Sequence, residues 1–247
     1  MREDMHVHST FSDGRHTVEA NAETAAERGL RRLGCVDHVR ADTSWVPDFA
    51  RHVRRVAGCT PVTLEVGVET KLLDARGRLD LPPARDLTGV EAIYVADHQV
   101  PWKDGVLQPR EVRRRLQLGR LDRADVIEML VVATRDAMRR HERVVLAHLF
   151  SVLPKCRIHE DEVPLDLVDE LARTAAATGA EIEIDERWRC PSHRVAGRFA
   201  LAGVPIRAST DSHRRETIGR YEYVSEVFGQ LPDEGAGREE GSVRHAA

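Results

Sequence analysis

One kind of side chain falls repeatedly at the ends of the strand-like runs in this chain, and that placement constrains the fold more than any other feature. Seven short β-rich runs recur, over 4–8, 33–37, 62–68, 92–96, 144–147, 181–185 and 205–209. His6 and His8 end the first, His38 the second, Glu69 the third, His98 the fourth and His148 the fifth, and Asp211 and His213 follow the seventh. A single strand-end histidine is ordinarily a hydrogen-bonded core or surface residue. Here six of the 12 histidines occupy such ends, a pattern that chance rarely produces. In an open sheet the first and seventh strands could lie far apart. In a closed parallel barrel every C-terminal strand end converges on one face, where active sites are built.

The segments between the runs support that topology. Most have helical periodicity. Thr17 is an N-cap type with Glu19 in the first turn behind it, and Gly29 suits a helix stop. Further helices are expected over 122–140, from Pro164 to Gly179, and from Ser192 to Gly203. Alternating strand and helix predicts βαβ units and a parallel sheet covered on both faces. No linker or repeat divides residues 1–232, which read as one domain, and the polar, Gly-rich stretch 233–247 is expected to be a disordered tail.

Composition narrows the partners. The net charge of -4 argues against a stable nucleic-acid partner or a membrane surface. Neither a basic-plus-apolar leader nor a long uncharged apolar run is found, so a soluble, cytoplasmic protein is expected. Cys35, Cys59, Cys156 and Cys190 form no C-x-x-C pair and read as reduced thiols. Lysine occurs only at positions 71, 103 and 155. Arginine is so abundant that most single arginines read as solvated surface.

The stretch MHVHSTFSDG shows the chemistry in miniature. His6 and His8 project to the same side because strand side chains alternate, and Asp13, on the turn, reaches back over the mouth. Imidazole and carboxylate without thiolate suit Zn, Mn or Fe. There are more such groups than one tetrahedral ion uses, so two or three divalent ions sharing a bridging carboxylate would employ them. Such a cluster activates water and clamps the oxygens of a transferring phosphoryl group.

In order and spacing, HVHSTFSDG, VDH, GVE, ADH, AHL and STDSH resemble the PHP (polymerase and histidinol phosphatase) superfamily over about residues 4–215. GVETKLLDARGRLD is also similar to the segment after the bridging glutamate in small trinuclear bacterial PHP phosphatases. The resemblance implies an α/β fold, a distorted (β/α)7 TIM-like barrel, with three metals. It would assign His6, His8, Glu69 and Asp211 to one ion, Asp13, His38 and His213 to the second, and Glu69, His98 and His148 to the third. Asp37 would orient His38, and Asp211, His213 and Glu69 would be the catalytic set. His16 stands near Asp13 as an alternative ligand. The chain departs from the family in having VDH for TDH, AHLFS where proline often follows the histidine, and Glu183-Ile184-Asp185 where Glu-x-Asn is common. Glu183 is expected to hydrogen-bond ligands or substrate.

The function these features predict is hydrolysis of a small-molecule phosphate ester by a metal-bridging hydroxide, with a histidinol-phosphatase-like monoesterase as the specific expectation. Hydrolysis of an amide or lactone, and a catalytically inactive binding module, are the alternatives. Lys71, Arg40, Arg187, Arg189 and Arg214 are candidate substrate-binding cations in loops after strand ends. Trp188 or Trp102 could stack on a ring. Specificity is assigned to loops 42–49, 102–108, 154–163 and 186–192. Cys190 is set aside as a nucleophile because activated water supplies one.

Overall fold

The computed structural model describes residues 1–103 and 105–232; the expected tail, 233–247, lies outside them. The elements in chain order are β1 (Glu3–Val7), α1 (Val18–Glu27), β2 (Arg32–His38), α2 (Val46–Ala57), β3 (Thr63–Lys71), β4 (Ala92–Ala96), β5 (Val100–Trp102), β6 (Gly105–Leu107), α3 (Pro109–Gln117), α4 (Arg123–Arg140), β7 (Val144–Ala147), α5 (Val152–Lys155), α6 (Leu165–Thr178), β8 (Glu181–Asp185), α7 (His193–Leu201), β9 (Ile206–Ser209) and α8 (Tyr223–Phe228). Seven parallel strands form one sheet in the order β1-β2-β3-β4-β7-β8-β9. The edges meet just beyond β9. Ser212 pairs in parallel with Val7, its carbonyl accepting from His8 N at 2.8 Å and its N–H donating to His6 O at 3.1 Å. The result is a nearly closed barrel whose seam lies at the residues that carry the first and last motifs.

Each helix forms where the sequence supplies its ends. Thr17 caps α1, its hydroxyl accepting from Ala20 N at 3.3 Å, and Gly29 follows with φ 71°. Asp122 stands at the N-cap of α4. Pro164 occupies the N-cap of α6 rather than its first turn, and Gly179 ends that helix with φ 71°. Three elements depart from the sequence expectation. The loop expected at 42–49 is in part α2, whose Val46, Phe49, Ala50, Val53 and Val56 are buried at helical spacing. Pro47 lies in its first turn, where the missing N–H costs nothing. The loop expected at 102–108 is the β5–β6 hairpin leading into α3, which buries only Val112 and so carried almost no apolar signal. The loop expected at 154–163 opens within α5.

The helices pack on the outside of the sheet around the main apolar core, which includes Phe49, Leu130, Met138, Leu171 and Phe199. The barrel interior is polar at both ends and aromatic in the middle. Tyr94 lies there, packed against Gly67, where a Cβ would come within 2.9 Å of its ring. The Tyr94 hydroxyl donates to Met5 O. Below it, Arg207 donates to the Tyr94 oxygen at 2.9 Å and to Glu181 at 2.7 and 2.8 Å, and pairs with Glu65. This cluster closes the N-terminal end, so the open end is the C-terminal face.

Candidate metal centre

Glu69 is the hub of that face. It is 1% exposed, and strand register sets it directly beside His38 of β2. Its Oε2 lies 2.9 Å from His38 Nδ1, 3.4 Å from His8 Nε2 and 3.5 Å from His6 Nε2. Its Oε1 lies 3.2 Å from both His98 Nε2 and His148 Nε2. Five imidazoles from four strand ends thus converge on one carboxylate. Burial opposes its charge, but the surrounding imidazoles, His148 foremost and then His38, His6 and His98, outweigh burial and hold Glu69 well below the usual carboxylate range.

Asp211 and Asp13 flank this hub. Asp211 Oδ1 is 3.0 Å from His8 Nε2 and 3.4 Å from His213 Nδ1. Asp13 sits at the mouth, 3.2 Å from His213 Nε2, 3.5 Å from His8 Nδ1 and 3.7 Å from His38 Nε2. Four sets of donors are close enough to share an ion: His6, His8 and Asp211; His8, Asp13, His38 and His213; His38, Glu69 and His98; and, deeper in the barrel, His6, Glu183 and Asp185. His16 joins none of them. His148 meets the centre through Glu69 Oε1.

The residues fit metal ions for a specific reason. Among the described residues only four buried side-chain atoms lack a hydrogen-bond partner, and three are His8 Nδ1, Glu69 Oε2 and Asp211 Oδ1. Buried polar atoms are nearly always satisfied, so three orphans aimed into one cluster call for a cation. The backbone is strained at the same place: His148 and Asp211 have φ of 32° and 45°, a cost of about 1–3 kcal/mol each that tends to collect at functional sites.

A supporting shell orients the donors. Glu183 of β8 faces His6 Nδ1 at 3.0 and 3.2 Å and accepts from His148 N at 2.8 Å. This leaves His6 Nε2 facing Glu69. His148 Nδ1 meets Ser151 Oγ at 2.9 Å and Asp97 Oδ1 at 3.4 Å. Burial, with Glu183 and Asp211 beside it, pushes the Asp185 carboxyl well above its usual range. Asp37 does not contact the His38 ring. Alternation along β2 turns it the other way, where it accepts from Ser9 N and Ser12 N at 3.0 and 3.1 Å and from both their hydroxyls at 2.5 Å. It therefore fixes the turn that carries Asp13. Sequence reasoning left Asp97 and Trp188 without these roles. The Trp188 indole donates to Asp211 Oδ2 at 2.8 Å, and its backbone N–H donates to Asp185 at 2.8 Å. The only available signal was its position just after β8.

The candidate substrate-binding cations separate into groups. Arg40 and Lys71 line a cavity of about 550 Å³ with Asp13, His38, Glu69 and His98. Lys71 Nζ is 3.4 Å from Asp80 Oδ2. Arg187 and Arg214 line a second cavity of about 550 Å³ with Asp211 and His213. Arg187 Nη1 reaches Asp211 Oδ2 at 3.3 Å and His213 Nδ1 at 2.7 Å. Arg189 lies over the Tyr223 ring, 4.9 Å from its centre, and lines neither cavity.

A family model described as PHP domain matches residues 4–186, most of the chain. The chain belongs to the PHP domain family. Within the PHP match fall His6, His8, Asp13, His38, Glu69, His98 and His148, while Asp211 and His213 lie beyond it and reach the centre through barrel closure. A phosphoribosyl 1,2-cyclic phosphate 1,2-diphosphodiesterase of Eggerthella lenta is 42% identical over 79 residues, 32% of this chain and 28% of that protein. A crystal structure of histidinol phosphate phosphatase from Lactococcus lactis subsp. lactis Il1403, complexed with zinc, L-histidinol and phosphate, shares the fold with a TM-score of 0.68. It is 15% identical, and the alignment covers 95% of this PHP chain and 94% of that one. No helix among the described residues is long and apolar enough to cross a membrane.

Proposed function

We propose that this PHP protein is a metal-dependent hydrolase of a small phosphate ester. The observation that carries the reading is the buried Glu69 with five imidazoles around it and orphaned oxygens of Glu69 and Asp211 beside it. His6, His8, Asp13, His38, Glu69, His98, His148, Asp211 and His213 would hold two or three divalent ions, Zn, Mn or Fe. When bound, such ions supply an activated water and a charge clamp for phosphate oxygens.

The chain's own groups do the rest. Glu183 and Asp97 fix the ring orientations of His6 and His148. Asp13 lies exposed at the mouth between three imidazoles. Arg40 and Lys71 on one side and Arg187 and Arg214 on the other are positioned to bind phosphate oxygens. The four free cysteines are compatible with a reducing compartment, and the cytoplasm is the proposed location.

A monoester is the leading substrate class, and the diesterase relative supports a cyclic phosphate diester as the second. The test is phosphate release by Mn- or Zn-reconstituted protein from a panel of histidinol phosphate, nucleotides and sugar phosphates, beside cyclic diesters scored by ring opening. Asp211→Asn should abolish turnover, by at least about 10³-fold, with an unchanged circular dichroism spectrum. Full activity in that variant would refute the assignment.

A further inference from the structure

The geometry points to a second anion site beside the metal cleft, one that holds an anionic group of the substrate other than the reacting phosphate; this rests on the phosphate-ester reading above. The two strand ends that deliver His98 and His148 continue into the elements that form it. After His98 the chain passes through the β5–β6 hairpin into α3, which carries Arg110 and Arg113 in its first two turns. After His148 it forms α5 and turns at Arg157, whose φ is 61°. An open cavity of about 690 Å³ is lined by Arg110, Arg113, Arg114 and Arg157, with Gln108 and a single carboxylate, Glu111, among them. Gln108 also lines the metal cleft, where its Nε2 donates to Gln99 Oε1 at 3.1 Å. The two spaces therefore adjoin at this side chain.

The charge around the cavity is unbalanced. Between Gln108 and Arg123 the sequence has six arginines and two acids, in a chain whose net charge is -4. Glu111 engages Arg114 and Arg115, and Glu162 engages Arg123. Arg110, Arg113 and Arg157 have no carboxylate partner among the described residues. Guanidinium groups gathered without counter-charge repel one another, and their planar donor forks match phosphate or carboxylate oxygens. Loops after barrel strands are where such folds set specificity. The substrate class that fits both cavities is a small molecule with a hydrolysable phosphate and, some distance away, a second phosphate or carboxylate.

The experiment compares a sugar monophosphate, the matching bisphosphate and a phosphorylated sugar acid, using wild type and an Arg113→Gln/Arg157→Gln double variant. Neither arginine belongs to the metal centre, and thermal melting checks the fold. For the doubly anionic substrates the double variant should raise KM by about tenfold, as expected when charge-assisted hydrogen bonds are lost, with kcat retained. Its constants for the monophosphate should not change. Whichever doubly anionic substrate loses more identifies the second group as phosphate or carboxylate. Equal effects on all three substrates, or no effect, would overturn the site. Calorimetric titration of inorganic pyrophosphate into chelator-treated protein needs no turnover and separates the two readings. Weaker binding by the double variant supports the anion site even if no ester is hydrolysed, and identical binding rejects it. Absence of phosphate release by metal-loaded wild type rejects the phosphate-ester reading instead.

Discussion

At the scale of single residues, the centre depends on how each donor is held. Asp211 is the clearest case: its left-handed backbone and its hydrogen bond from the Trp188 indole together leave Oδ1 facing His8. Trp188→Phe keeps the ring against His148 and removes only the N–H donor. Metal affinity should fall about tenfold, the usual scale for losing a ligand's supporting hydrogen bond, with the melting temperature nearly unchanged. Competition with a chromogenic chelator measures this, and wild-type affinity in the variant would remove Trp188 from the support of Asp211. The cysteines give a prediction of the opposite kind. Cys35, Cys156 and Cys190 are buried, and burial pushes their thiols up, that of Cys156 to about 11, whereas Cys59 is exposed. Because the thiolate is the reactive form, a thiol reagent should label one cysteine in the native protein and four after denaturation.

At the scale of elements, the turn after β1 is a device for presenting Asp13. Asp37 receives four hydrogen bonds from Ser9 and Ser12, and Gly14 packs so tightly that a Cβ there would lie 2.4 Å from the His8 carbonyl carbon. Gly14→Ala must therefore shift the turn or β1. The expected cost is about 1–3 kcal/mol of stability, typical of overpacking, together with loss of close to one ion per chain by elemental analysis as Asp13 moves away. Retention of full metal content would show that Asp13 is not a ligand. The strands and the helices with caps were legible in the sequence because periodicity and end signals coincide there, as at Thr17 and Gly29. The hairpin and α3 were not, because an arginine-rich segment with one buried residue looks the same as a loop.

For the whole molecule, closure of the barrel makes the centre a property of the fold, and stability should report it. In the absence of ions, burial works against charge on His6 and His148. For His6, Glu183 and Glu69 outweigh burial, and for His148, Asp97 and Glu69 do so, leaving both pKa values well above the ordinary value. A histidine raised in this way adds stability that is complete below its unfolded pKa of about 6.5 and is lost as pH rises through the folded value. Chelator-treated protein should thus be most stable in mild acid. Ion binding needs neutral imidazoles, so its stabilisation grows with pH. The melting-temperature gap between metal-loaded and chelated protein should widen from about pH 6 to about pH 8.5. A gap that stays constant or narrows would take these histidines out of the centre.

The sequence by itself determined the family, the alternating strand–helix order and which strand-end residues to look for at one face, because strand period and motif spacing are local and survive in one dimension. It also placed Asp37 beside His38 in the chain. Only the tertiary structure showed that Asp37 faces away and fixes the Asp13 turn, that Trp188 holds Asp211, and that Arg187 reaches Asp211 while Arg189 turns to Tyr223. Those outcomes are set by which side chains meet across a closed barrel, between residues as far apart as His6 and Glu183, and no spacing along the chain encodes such a meeting.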